Sequence, residues 1–133
     1  MELGRSSFQF TLMERPWTVN AERAGNRWER AKKTKHWREQ FCLLCRSQSP
    51  PILTDAVVEV RLTLKGRLQD TSACMPAVKA AIDGLVDGGL FVDDTGDHVK
   101  CIVFWAPVKS KVDALTISVE GIEMDRAGYT QPK

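Results

Sequence analysis

The spacing of apolar positions along the chain predicts strands and helices in turn. Apolar and polar residues alternate over 8–12 and again over 56–64, which predicts two strands that each bury one face. Apolar residues at helical spacing predict a helix over about 31–44, with Trp37 on its buried stripe. A second helical pattern begins at Pro76, a residue that suits the first turn of a helix.

The last third of the chain predicts two further strands, over 99–105 and 114–122. We expect these strands to pair as a hairpin through the turn around 107–111. The order is then strand, helix, strand, helix and hairpin, which predicts an α+β fold with two helices packed on a mixed sheet.

Length and composition predict one domain. A chain of 133 residues that is 43% hydrophobic can bury a core of its own, expected between about residues 8 and 122, with a loose tail over 126–133. No run approaches the roughly 18 apolar residues that span a membrane, and the first residues lack the apolar stretch of a signal peptide. We therefore expect a soluble, cytoplasmic protein with no membrane partner.

The positive charge is concentrated in one segment. The whole chain carries a net charge of +2, whereas residues 22–39 hold seven basic and three acidic residues, which leaves the rest of the chain at −2. Gly25 and Asn26 are expected to interrupt this segment. A basic arm on a mildly acidic body favours a polyanionic partner such as nucleic acid.

The four cysteines are predicted to be free and mostly buried. Cys42 and Cys45 have a spacing that suits a metal, but apolar residues at helical spacing surround them and no second close pair follows. A structural metal or a disulfide stays as the alternative.

Candidate chemistry lies between residues 70 and 94. Lys79, Asp83 and Asp87 recur every four residues on the second predicted helix, Asp70 precedes that helix, and Asp93–Asp94 follow it. Converging carboxylates would favour Mg²⁺ or Mn²⁺, which can promote phosphodiester cleavage, and a nearby lysine can hold a phosphate. The alternative is that these residues are solvated charges at loop and helix ends.

Two segments carry a resemblance to a known family. The run over 78–94, VKAAIDGLVDGGLFVDD, and the segment over 16–20, PWTVN, resemble motifs of the RusA family of Holliday junction resolvases. This resemblance covers roughly residues 8–122. It implies a Mg²⁺-dependent homodimeric endonuclease that cuts four-way DNA junctions, in a family frequent in phages and therefore at work in the cytoplasm of a bacterial host.

The resemblance also assigns roles to individual residues. The family has Asp-x-Asp-Asn before its second helix; here the match is Asp70-Thr71-Ser72-Ala73, so a hydroxyl stands where a second carboxylate belongs. The implied catalytic residues are Asp70, Lys79 and Asp94. The implied metal ligands are Asp70, Asp94, Asp93 and Ser72. Supporting positions are Asn20 and Asp83.

The basic residues are the expected contacts to the DNA backbone. They are Arg23, Arg27, Arg30, Lys32, Lys33, Lys35, Lys65 and Arg67. Trp17 and Trp28 are candidates for stacking on bases opened at a branch point. The alternative is a solvated helix face with tryptophans in the core.

Three functions remain open from the sequence. The first is an active junction resolvase, and the second is a branched-DNA-binding protein of the same fold whose catalytic site has decayed. The third is an interaction protein without a nucleic-acid partner that keeps only the scaffold.

Overall fold

A computed structural model of the chain describes residues 4–124, so the tail predicted over 126–133 lies outside the described residues. The described part is α+β, as predicted, with three helices and a mixed sheet of five strands. In chain order the elements are β1 (Arg5–Leu12), α1 (Val19–Ala24), α2 (Arg27–Gln48), β2 (Leu53–Leu64), α3 (Met75–Asp87), β3 (Val99–Phe104), β4 (Val108–Lys109) and β5 (Ala114–Glu123). None of these helices combines the length and the apolarity that crossing a membrane requires.

The sheet has the order β1-β5-β2-β3, with β4 beside the end of β2. The last strand, β5, is antiparallel to both β1 and β2, and Ile117 lies opposite Phe10 on one side and Val60 on the other. On the other side of β2, β3 runs parallel to it.

The predicted hairpin of the last two long strands is therefore wrong. After β3 the chain stays beside β2, because Trp105 N–H donates to the Val60 carbonyl at 3.1 Å and Ser110 N–H donates to the Leu64 carbonyl at 2.9 Å. The chain reverses only after Ser110 and enters the sheet on the far side of β2. Alternating residues show that a strand buries one face, but they do not identify its neighbours.

One hydrophobic core holds α2 and α3 against one face of the sheet. The buried stripe of α2 contains Trp37, Phe41 and Cys45, and α3 contributes residues such as Ile82 and Leu85. The predicted apolar faces of both helices are thus confirmed. In β2 the buried residues begin at Leu53, three residues before the predicted start, because the strand carries a bulge before Val57.

The basic segment is helical over most of its length. Asn26 caps α2 by accepting a hydrogen bond from Glu29 N–H at 2.9 Å, so this helix begins at Arg27 and not near Ala31. The expected interruption at Gly25–Asn26 is confirmed, and the short helix α1 precedes it. Sequence periodicity missed the first turn of α2 because the helix buries no residue before Trp37.

Helices α2 and α3 approach each other closely at Gly84. A β-carbon at this position would overlap the Arg38 carbonyl of α2 and lie 3.1 Å from the Cys42 nitrogen. One turn later, a β-carbon at Gly88 would lie 2.7 Å from the β-carbon of Cys45. The absence of side chains at both glycines lets the two helices touch through their backbones.

We predict that Gly84→Ala destabilises the protein. In a solvent-exposed helix this change would stabilise by about 1 kcal/mol, but forcing a methyl group against the Arg38 backbone costs about 1–3 kcal/mol. Because the added β-carbon would overlap a backbone oxygen, which cannot move aside as a flexible side chain can, the cost lies in the upper part of that range. The expected net loss in the free energy of unfolding is then about 1–2 kcal/mol, measured by urea denaturation. Gly96→Ala is the control, because its added methyl group meets open space. A Gly84→Ala variant as stable as the parent would contradict this view of the helix contact.

Candidate functional site

Two loops that are distant in sequence are joined by hydrogen bonds at one end of the sheet. Arg15, which follows β1, donates to the Arg67 carbonyl at 2.6 Å and to the Lys65 carbonyl at 3.3 Å. Gln69 donates in the opposite direction, to the Pro16 carbonyl, at 2.9 Å. These bonds hold the loop after β2 against the chain that leaves β1.

A groove of about 650 Å³ lies between the two loops. Its lining includes four residues that the sequence assigned to the site from separate segments: Asn20, Arg67, Asp70 and Ser72. All four are exposed. We call it the first groove, and it unites acidic, basic, amide and hydroxyl groups on one accessible surface.

Asp70 and Ser72 belong to a tight turn that leads into α3. Ala73 N–H donates to the Asp70 carbonyl at 3.0 Å, and Met75 N–H donates to the Ser72 carbonyl at 3.2 Å. Val19 N–H donates to the Ala73 carbonyl at 2.8 Å, which fixes the turn to the start of α1. The turn backbone is therefore fixed, and no other described side chain forms a hydrogen bond or ion pair with the Asp70 carboxylate.

A second group of predicted site residues forms around Lys79. Its ammonium group donates to the Asp83 carboxylate at 3.1 Å and also to the carboxylate of Asp94. The contact with Asp94, followed by that with Asp83, raises the pKa of Lys79, so this lysine is a fixed cation at neutral pH. The residues lie on one exposed surface although 15 positions separate Lys79 from Asp94.

The Asp93 carboxylate forms hydrogen bonds within its own turn. Its carboxylate accepts hydrogen bonds from the Thr95 hydroxyl at 2.5 Å and the Thr95 N–H at 2.9 Å. These bonds lower the pKa of Asp93. His98 lies 4.0 Å from the same carboxylate and also contacts Thr54 at 3.0 Å.

The structure thus brings the predicted metal ligands together only in part. Within residues 4–124, no three His, Cys, Asp or Glu side chains lie close enough to hold a metal ion. Asp70 and Ser72 line the first groove, whereas Asp93 and Asp94 are not part of its lining. Mg²⁺ is commonly bound by one or two carboxylates, several waters and substrate phosphates. Asp70 and Ser72 line the same groove and are exposed, so one carboxylate and one hydroxyl are accessible to such an ion there. Asp94, by contrast, is already held by Lys79.

The predicted DNA-contacting residues fall into different surroundings. Arg30 donates to the carbonyls of Glu22 at 3.1 Å and Gly25 at 2.6 Å, so its guanidinium ties α1 to α2. Lys35 lies 3.8 Å from Glu39 in an exposed ion pair. The remaining members have no ion-pair partner within the described residues, and they are Arg23, Arg27, Lys32, Lys33, Lys65 and Arg67.

Of the two tryptophans proposed for stacking, only Trp28 is accessible. Trp17 is 8% exposed, packs edge-on against Trp37 with ring centroids 5.9 Å apart, and donates its indole N–H to Glu22. The expectation that Trp17 stacks on bases is wrong, because its ring is part of the core. Trp28 is 73% exposed and lies beneath the Arg27 guanidinium.

The cysteines are free, as predicted, but only two are buried: Cys42 is half-buried and Cys101 is exposed. Burial raises the pKa of both Cys45 and Cys74 to about 11, so neither thiol is ionised at neutral pH.

Sequence reasoning missed Arg15 and Gln69, which join the two loops around the first groove. Both act on backbone carbonyls about 50 positions away, and such contacts leave no mark in local residue spacing. The proline at position 16 signalled only that the chain leaves the strand.

Comparison with models of known protein families finds no match, and comparison with curated protein sequences finds none either.

We predict that Asp94→Asn lowers the pKa of Lys79. The Asp94 carboxylate is the main cause of the raised value, and Asp83 would retain only part of the effect. Titration of the Lys79 ε-carbon by NMR measures the change, with Asp97→Asn as a control in the same exposed loop. An unchanged pKa of Lys79 in Asp94→Asn would show that the two side chains do not pair in solution.

Proposed function

We propose that this protein is a structure-specific DNA endonuclease that hydrolyses phosphodiester bonds at four-way junctions or related branched DNA with Mg²⁺, or with Mn²⁺ in its place. The first groove carries this proposal, because Asp70 and Ser72 lie beside Arg67 and Asn20 on an open surface. The resemblance of the run over 78–94 to the RusA family supports it.

The four predicted site residues of the groove each have a role in this proposal. The Arg67 guanidinium, which has no ion-pair partner among the described residues, binds a DNA phosphate at the groove, and the Asn20 amide donates to the same backbone. Asp70 and Ser72 would hold the metal ion. Bound there, Mg²⁺ would stabilise the negative charge that builds up on the phosphate during cleavage.

Lys79 is a cation on α3, the helix that follows the turn containing Asp70 and Ser72. Its raised pKa keeps it protonated, and its ammonium group would bind a phosphate oxygen in exchange for one of the two carboxylates that it contacts. A homodimer with twofold symmetry would present two such sites and cut opposing strands of a junction symmetrically.

A second candidate function is binding of branched DNA without cleavage. The observation that favours it is the small number of carboxylates available to a metal ion. Ser72 brings no negative charge, and the Asp94 carboxylate is paired with Lys79. Such a protein would bind junctions with a steep salt dependence and would leave them intact.

A gel assay distinguishes these functions. The purified protein is incubated with labelled four-way junction and with linear duplex of matched sequence, each in Mg²⁺, in Mn²⁺ and in EDTA. The proposal predicts metal-dependent symmetric nicks in the junction alone. A junction-selective shift without nicks in either metal would establish the binding function instead. Neither nicks nor a shift would favour an interaction protein that does not act on DNA.

We predict that Asp70→Asn lowers junction cleavage by on the order of 100-fold or more while junction affinity in EDTA stays unchanged. A direct ligand should matter at least as much as an outer-shell partner, whose loss costs roughly 10–100-fold. Asp97→Asn, on an exposed loop outside the first groove, serves as the matched control. Cleavage that persists in Asp70→Asn would refute the assignment of this carboxylate.

We also predict that Ser72→Asp lowers the Mg²⁺ concentration needed for half-maximal cleavage by roughly tenfold, which corresponds to about 1.4 kcal/mol. A second carboxylate in the exposed turn would add charge attraction of that order. The measurement is a Mg²⁺ titration of junction nicking by both proteins. No gain would mean that Ser72 does not face the metal.

A further inference from the structure

A second groove lies on the other side of the Arg15–Trp17 segment. It has a volume of about 540 Å³ and is bordered by Glu14 and that segment on one side and by α2 on the other. The α2 residues that border it are Lys32, Lys33, His36 and Trp37. Both grooves share the segment over 15–17 as a wall, so they adjoin each other on the surface.

The charges in the second groove are predominantly positive. Lys32 and Lys33 have no ion-pair partner within the described residues. The Glu14 carboxylate is already engaged by His36, whose Nε2 lies 2.8 Å and 3.0 Å from its two oxygens. Arg15 uses its hydrogen bonds on neutral carbonyls and lies 3.7 Å from Asp113, outside the groove lining.

The apolar floor of this groove is rigid. Trp17 and Trp37 lie beneath it, and both are core residues whose rings pack against each other. Two flexible lysine stems above a rigid floor suit a polyanionic chain that passes through, because lysine binds phosphates as a mobile point charge and requires no fixed geometry.

We propose that one DNA strand follows the two grooves in succession: the phosphate to be cut lies in the first groove, and phosphates further along the same strand bind Lys32 and Lys33 in the second. This inference rests on the proposed function, and it commits the second groove to DNA because that groove continues from the one that holds Asp70.

This strand path divides the basic segment into residues with different roles. Lys32 and Lys33 contact the strand, whereas Lys35 does not line either groove and pairs with Glu39 on the exposed face of α2. Arg30 keeps its structural role between α1 and α2. Lys35 is therefore a control of the same residue type on the same helix.

The test compares Lys32→Gln/Lys33→Gln with Lys35→Gln in junction binding at several salt concentrations in EDTA. Each lysine that contacts a phosphate contributes about one to the slope of log affinity against log salt concentration. We expect the magnitude of this slope to fall by about two in the double variant and to stay unchanged in Lys35→Gln. The expected fall for Lys33→Gln alone is about one.

A second measurement locates the contacts on the DNA. Junctions carry uncharged methylphosphonate linkages at single positions on either side of the cut. Neutral linkages on one side should weaken binding by the parent protein but not by the double variant, since the partner lysines are already absent.

The outcomes separate the two proposals. If the parent protein cuts junctions but the double variant keeps the parent's salt slope, the strand path is wrong and the endonuclease proposal stands. If the parent binds no DNA, both fail. If a polyglutamate chain binds through Lys32 and Lys33 while DNA does not, the second groove belongs to an acidic polypeptide and the strand path is overturned.

Discussion

The close contact between α2 and α3 is the constraint on which the positions of the functional side chains depend. Because Gly84 has no side chain, α3 lies directly against the backbone of α2 at Arg38. The buried stripe of α2 keeps the second half of that helix in the core, so its basic first half extends over the surface. The same contact fixes α3, and with it the exposed Lys79 and its partner Asp94. The contact between α2 and α3 at Gly84 therefore positions both the basic half of α2 and the group of side chains around Lys79.

The second organising feature is the connection between the loops after β1 and β2. Arg15 and Gln69 each donate to carbonyls of the opposite loop, so neither loop is positioned by its own sequence alone. This connection creates the first groove on one side of Pro16 and borders the second groove on the other. A continuous surface then joins the Asp70 carboxylate to the lysines of α2. The hydrogen bonds of Arg15 and Gln69 thus position the wall that the two grooves share.

The sequence predicted those parts of the fold that are determined by burial of one face. The alternation in β2 and the apolar stripe that contains Trp37 follow directly from residue spacing, and both are present. The neighbours of β5 were predicted wrongly, because pairing depends on contacts between distant segments. For the site, the motif over 78–94 indicated Lys79 and Asp94 as candidate residues, and their side chains form an ion pair in the structure. The role of Arg15 was not predictable, because it donates to backbone carbonyls. Every residue has such a carbonyl, so the residue type of the partner gives no signal in the sequence.

The proposed divalent metal ion in the groove containing Asp70 can be located by Fe²⁺-mediated cleavage of the polypeptide. Fe²⁺ can replace Mg²⁺ at oxygen ligands, and with ascorbate and peroxide it generates radicals that cut the nearest backbone. We predict cuts within residues 65–73 and 15–20, suppressed by excess Mg²⁺ and absent in Asp70→Asn. Cuts confined to the region of Asp93–Asp94, or no site-selective cuts, would show that Asp70 does not hold a metal ion.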